Sequence, residues 1–202
     1  MAILEHEVRS SSDAGLSGSR RCLFTRDDYY TMGKAGVFTD KRVELIEGEI
    51  IEMAPIGPPH AAITHPLAVL LEAAFGPDFT LRTQVPITLG DATNPSEPEP
   101  DIVVATGSWR DYLTRHPNQN DIQLIVEISD STLAYDRTIK ARLYSDAQIP
   151  EYWIVNLVDA HIEVHRQPTE SGYAEVVVYR AGDSVEPLLA TGRSFTVDEV
   201  LP

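Results

Sequence analysis

The sequence is poor in cysteine, in lysine and in long apolar runs, and each shortage closes off a class of protein. One cysteine, Cys22, cannot form an internal disulfide, so the chain does not read as a stapled secreted scaffold. The longest apolar stretch, from Leu67 to Phe75, is cut by Glu72 and falls far short of the ~20 residues a membrane span requires. The opening residues lack a cationic segment followed by an apolar one, so a cytoplasmic setting is expected. No GxGxxG, P-loop or GxSxG pattern occurs, which leaves dinucleotide binding, Walker-type phosphate binding and the serine-hydrolase elbow without a motif. Lysine occurs only at positions 34, 41 and 140, and 16 Lys+Arg against 31 Asp+Glu give a net charge of −15. Such a surface repels nucleic acid, so a nucleic-acid function has to rest on a local site, a bound cation or a basic partner.

What remains is ordinary globular composition, 43% hydrophobic and 23% charged over 202 residues, enough for one core. The polar run Ser10–Ser19 reads as part of a disordered leader over 1–22, followed by a single domain over 23–202. Thr25-Arg26-Asp27-Asp28 has capping-box spacing and predicts a helix running to about Ala35, stopped by Gly36. Arg42–Ile46 and Glu49–Met53 flank Glu47-Gly48 and predict a tight hairpin. Ile63, Leu67, Leu70, Leu71 and Ala74 form one helical stripe, with Pro66 requiring a kink or a start near Thr64. Strands are expected at Thr80–Leu89, Ile102–Ala105, Ile122–Ser129, Glu151–Leu157, Ile162–Arg166 and Ala174–Tyr179, the last two joined over Gln167 to Gly172. A helix from about Asp136 to Gln148 should present Ile139, Leu143 and Ala147 inward. Helices and strands in this order predict an α/β (α+β) architecture, helices packed on a mixed sheet.

Several charges sit where apolar residues are expected. In Leu124–Ser129 the period of a strand puts Glu127 between Ile125 and Ser129, and both faces are apolar near the middle. A buried ionised carboxylate there costs several kcal/mol, so either a cation or donors must compensate it, or Glu127 lies at the strand's open end against solvent or an arginine. Asp101 opens the apolar run Ile102–Ala105 directly after Pro100. Two such carboxylates on neighbouring strands make an all-oxygen site suited to Mg²⁺. Lys140, thirteen residues after Glu127, is either the cation of that site or a solvated helix lysine. Glu44, between Val43 and Leu45 in the first hairpin, is either a third acid in the same cleft or an exposed residue paired with Arg42 or Lys41. His60 and His65 flank a helix start. His161 and His165 share one face of an expected exposed strand, too far apart for one metal, and no histidine has a cysteine partner for structural zinc.

Taken together, Val43–Ile50, His60 after a Pro-rich turn, Pro100–Val104, Ile125–Ser129 and Lys140–Tyr144 leading to Pro150–Val155 resemble the Uma-two family of restriction endonucleases, within the PD-(D/E)XK nuclease superfamily. The resemblance covers about residues 25 to 180, and its specificity lies in the order and spacing of the strings. It implies a restriction-endonuclease-like core, a central mixed sheet flanked by helices, carrying an additional C-terminal hairpin. It implies DNA as substrate, and Mg²⁺ or Mn²⁺ held by Asp101, Glu127 and the carbonyl of Ile128. Glu44 would be the acid from the N-terminal part and Lys140 the catalytic lysine. Where the superfamily pattern has lysine two residues after the glutamate, this chain has Ser129, and the lysine is expected from the following helix. A Lys140 ammonium reaching both Asp101 and Glu127 favours an endonuclease; an outward Lys140 favours a catalytically silent interaction module. A metal-free acid/base hydrolase is the third reading. A homodimer is expected, covering the edge of the C-terminal hairpin.

Overall fold

The computed structural model describes residues 21–201; the leader expected over 1–22 lies outside the described residues except for Arg21 and Cys22. Helix α1 (Arg26–Lys34) begins at the capping box: the Asp28 amide donates to Thr25 Oγ1 at 3.1 Å and the Thr25 amide to Asp28 Oδ2 at 2.9 Å. It buries Tyr29, whose hydroxyl donates to the Val43 carbonyl at 2.8 Å and so fixes α1 to the hairpin β1 (Val43–Ile46) and β2 (Glu49–Glu52). Glu47 and Gly48 both have positive φ, 49° and 79°, as a two-residue turn matched to strand twist requires. A Cβ on Gly48 would stand 2.9 Å from Leu23 Cβ, so glycine is needed for space as well as for conformation.

Helix α2 (Pro58–Phe75) runs through Pro66, so of the two alternatives the start near Thr64 is not the one taken. Pro58 and Pro59 occupy the first turn, where the missing N–H is lost anyway, and Pro66 is carried inside the helix. Its buried stripe is Ile63, Leu67, Ala68, Leu71 and Phe75.

Six strands form the central sheet in the order β3 (Phe79–Thr83), β4 (Ile102–Thr106), β5 (Ile122–Ser129), β6 (Glu151–Asn156), β7 (His161–Thr169) and β8 (Gly172–Tyr179). Only β5 and β6 run parallel. Strand β3 stops six residues before the expected Leu89, because Gln84 takes φ 51° and turns the chain away. Residues 87–89 keep only isolated bridges to Ser96 and Asn118. The C-terminal hairpin is longer than expected, with only Glu170 and Ser171 between its strands. Pro168 is tolerated in β7 because pairing with β6 ends at Arg166.

The segment between β5 and β6 departs most from expectation. In place of one helix over 136–148 there is a short α3 (Leu133–Tyr135), a π-helical turn over Asp136–Lys140, and α4 (Ala141–Asp146). The wider turn changes which residues face the sheet: Asp136, Lys140 and Tyr144 are buried, whereas Ile139, expected inside, is 38% exposed. His161 and His165, expected exposed, are buried, since β7 lies inside the sheet and the π turn covers that face.

Both faces of the sheet are core. One packs Leu124, Val126, Ile128, Trp153 and Val155 against α2 and against a C-terminal segment carrying β9 (Ser184–Val185) and β10 (Phe195–Thr196). The other packs Val103, Ile125, Tyr152 and Ile154 against Leu143 and Tyr144 of α4 and against Ile46, Ile87 and Leu89. Alternation along β5 thus sends Glu127 to the face beneath the π turn. Among the described residues no helix is long and apolar enough to cross a membrane.

Candidate active site

Glu127 is only 4% exposed, yet neither oxygen is without a donor. Lys140 Nζ donates to Oε1 at 2.9 Å, the Tyr144 hydroxyl to the same oxygen at 2.7 Å, and the Asp101 amide to Oε2 at 3.4 Å. Lys140, equally buried, also stands 3.4 Å from Glu44 Oε2, which accepts the Glu99 amide at 3.3 Å. Asp101 enters from the start of β4. Its Oδ2 accepts the Ile128 amide at 2.8 Å and lies 2.9 Å from His60 Nε2 in the first turn of α2, while Gln84 Nε2 donates to Oδ1 at 3.3 Å. The left-handed backbone at Gln84 lets its amide reach the carbonyls of Pro100 and Asp101 as its side chain turns to the carboxylate. Asp136 Oδ2 accepts the hydroxyls of Ser129 and Thr132, each at 2.7 Å. Ser129, standing where the resemblance expects a lysine, therefore secures the turn that brings Lys140 in.

The four acidic and basic candidates, Glu44, Asp101, Glu127 and Lys140, line one cleft of about 370 Å³, together with Ile128, His60, Arg42, Glu99 and Asp136. Lys140 meets Glu127 and Glu44; an ion pair with Asp101, the other contact expected of it, does not form. Ile128 commits its N–H to Asp101. Gln84, Tyr144 and Asp136 were not singled out from the sequence. For the last two the signal was present, since they stand four residues either side of Lys140.

Burial pushes the Glu127 carboxyl up to about 8, with Lys140 pulling it down and the charges of Asp101 and Asp136 adding to the rise. Burial works against the Lys140 ammonium, but Glu127, Glu44 and Asp136 outweigh it and hold the group charged, well above the ordinary lysine range. Glu99 and Asp136 are also raised, burial being the main cause for each. Seven carboxyl groups thus line the cleft with Lys140 and Arg42, and it is short of positive charge. Asp101 and Glu127 offer hard oxygen donors on adjacent strands, which fits a Mg²⁺-type ion that keeps most of its water. Among the described residues no three His, Cys, Asp or Glu side chains converge as a metal cage, so a dehydrated, fully protein-ligated ion does not fit.

The sequence profile of the Uma2 family, described as "Putative restriction endonuclease", matches residues 26–198. No curated protein matches the chain. Among solved structures the fold is similar to a crystal structure from Anabaena variabilis, described as "a putative nuclease belonging to DUF820". The TM-score is 0.64 at 18% identity, over 88% of this chain and 97% of that one. At that identity the likeness speaks for the fold alone.

Proposed function

From the premise that the chain belongs to the Uma2 family of restriction-endonuclease-like nucleases, we propose that it is a divalent-cation-dependent endonuclease hydrolysing phosphodiester bonds in DNA. The observation that carries this reading is the Lys140 ammonium 2.9 Å from Glu127, supplied from the π turn where the strand itself offers Ser129. Asp101 and Glu127, with the carbonyl of Ile128, would hold Mg²⁺ or Mn²⁺. When bound, such an ion supplies Lewis acidity at the scissile phosphate and lowers the pKa of water. The Ile128 amide and His60 hold the Asp101 carboxylate in place. Lys140 Nζ has hydrogens to donate to the attacking water or to the phosphate oxygen on which negative charge builds, in a site dry enough to make such a donor effective. Glu44 sets the depth of the ammonium from the opposite side. Arg42, at the rim and 3.4 Å from Glu99, is the cation that would meet the flanking backbone phosphate.

The test is DNA cleavage by the purified chain in Mg²⁺ or Mn²⁺, against EDTA and an Asp101→Ala control. Cation-dependent cutting that the substitution removes is the expected result. Cutting that survives EDTA would favour the metal-free hydrolase. Absence of cutting in any cation would favour the interaction module, a reading supported by the strong acidity and by the Lys140–Glu44 contact standing where Lys140–Asp101 was expected. A homodimer through β8 would present two such clefts to the two strands of a duplex.

A further inference from the structure

Tyr144 has no part in the mechanism above, yet it is fully buried and its hydroxyl donates to Glu127 Oε1 at 2.7 Å. A buried hydroxyl is a liability unless bonded, and a phenylalanine would fill the same space without it. The ring direction is set by edge-on packing against Tyr152, centroids 5.0 Å apart and planes at 70°, and Tyr152 in turn donates to the Asp136 carbonyl at 3.2 Å. The hydroxyl is therefore aimed. Among the described residues both strong donors on Glu127, Lys140 Nζ and Tyr144 Oη, fall on Oε1, and Oε2 keeps only the long contact from the Asp101 amide.

We infer that Tyr144 is a positioning residue that divides the work of the Glu127 carboxylate. Oε1 is held by the helix side, and Oε2 is turned to the cleft beside Asp101 as the oxygen for a divalent cation. This rests on the cation reading of the site and adds which oxygen is free and what frees it. Without the hydroxyl, Lys140 alone holds Oε1 and the carboxylate can rotate about its last torsion, so a ligand geometry that was fixed has to be selected on binding. Removing a group that orients a metal ligand typically weakens metal affinity about 10- to 100-fold.

The experiment is Mn²⁺ titration of the full chain, free Mn²⁺ being read by electron paramagnetic resonance without DNA or turnover. Wild type is expected to bind Mn²⁺, and folded Tyr144→Phe to bind it about 10- to 100-fold more weakly. A purely structural tyrosine would lower the melting temperature and leave this affinity unchanged, and that result overturns the inference while the cation site stands. Wild type that binds no Mn²⁺ overturns both. Should Tyr144→Phe fail to fold, 3-fluorotyrosine placed at 144 keeps ring and donor. Its ¹⁹F resonance is expected to move on adding Mg²⁺ and to stay fixed in a Glu127→Gln background, and a resonance unmoved by saturating Mg²⁺ overturns the inference.

Discussion

Glu163 lies in β7 with Arg137 Nε 3.1 Å from both its oxygens, His161 Nε2 3.0 Å from one and His165 Nε2 3.8 Å from the other. Burial pushes its carboxyl up, but these neighbours, His165 first and then Arg137 and His161, overcome that and hold it well below the usual glutamate range. A carboxyl depressed in the folded state stabilises the fold fully above its ordinary value of about 4.3, and the contribution is lost as pH falls towards the folded value. Glu163→Gln is therefore expected to lower stability at pH 7 and to flatten the acid limb below about pH 5, where wild type keeps losing stability. Urea unfolding at a series of pH values checks it. Parallel acid limbs in the two proteins would mean that Glu163 carries no such linkage. The same arginine ties the π turn to β7, so the turn that delivers Lys140 is held at Ser129, at Glu163 and at Glu127 together.

At the scale of elements, the π turn sets Ile139 against Leu143. A regular helix would bury both; the observed one exposes Ile139 to 38% and packs Leu143 beside Val103 and Tyr152. Ile139→Lys is expected to change stability by no more than about 0.5 kcal/mol, and Leu143→Ala to cost about 2–5 kcal/mol, in chemical denaturation. Equal losses would restore the regular helix. Sequence carries what is decided locally. The Thr25 cap, the Glu47-Gly48 turn and the run Ile122–Ser129 each contain their own determinants within a few residues, and each element forms as expected. Acids at 101 and 127 and the lysine at 140 were conspicuous because charge in an apolar pattern has few explanations. The π turn was not legible, because it is paid for by partners far off in the chain, Glu163 above all, that no helical period reveals. The end of β3 at Gln84, the burial of His161 and His165 and the small β9–β10 sheet have the same origin: each depends on which strand lies beside which.

The whole molecule carries a charge of −15 and ends its sheet on β8, eight residues long, with Val176 half exposed. Among the described residues no strand pairs with its outer edge, and an edge of that length invites pairing with another strand. Glutamates at 170 and 175 oppose it. The expected outcome is a two-fold dimer through β8, and Val176→Lys should dissociate it. Light scattering at micromolar concentration decides, since a wild-type mass near 22.3 kDa, that of one chain, rules the dimer out.

The cleft draws its carboxylates from unequal distances along the chain, and that bears on the order in which the molecule assembles. Lys140 and Glu127 are 13 residues apart, whereas the Glu44–Glu99 contact closes over 55. Closing the longer loop costs more chain entropy, and non-local pairings are the slower ones to form. The lysine and its strand partner are therefore expected to meet early, when the β5–β6 crossover forms, and the β1–β2 hairpin to dock Glu44 onto that ion pair after the rate-limiting barrier. Glu44→Gln should then speed unfolding while leaving the folding limb of the chevron in place, and a slowed folding limb would put the hairpin in the nucleus.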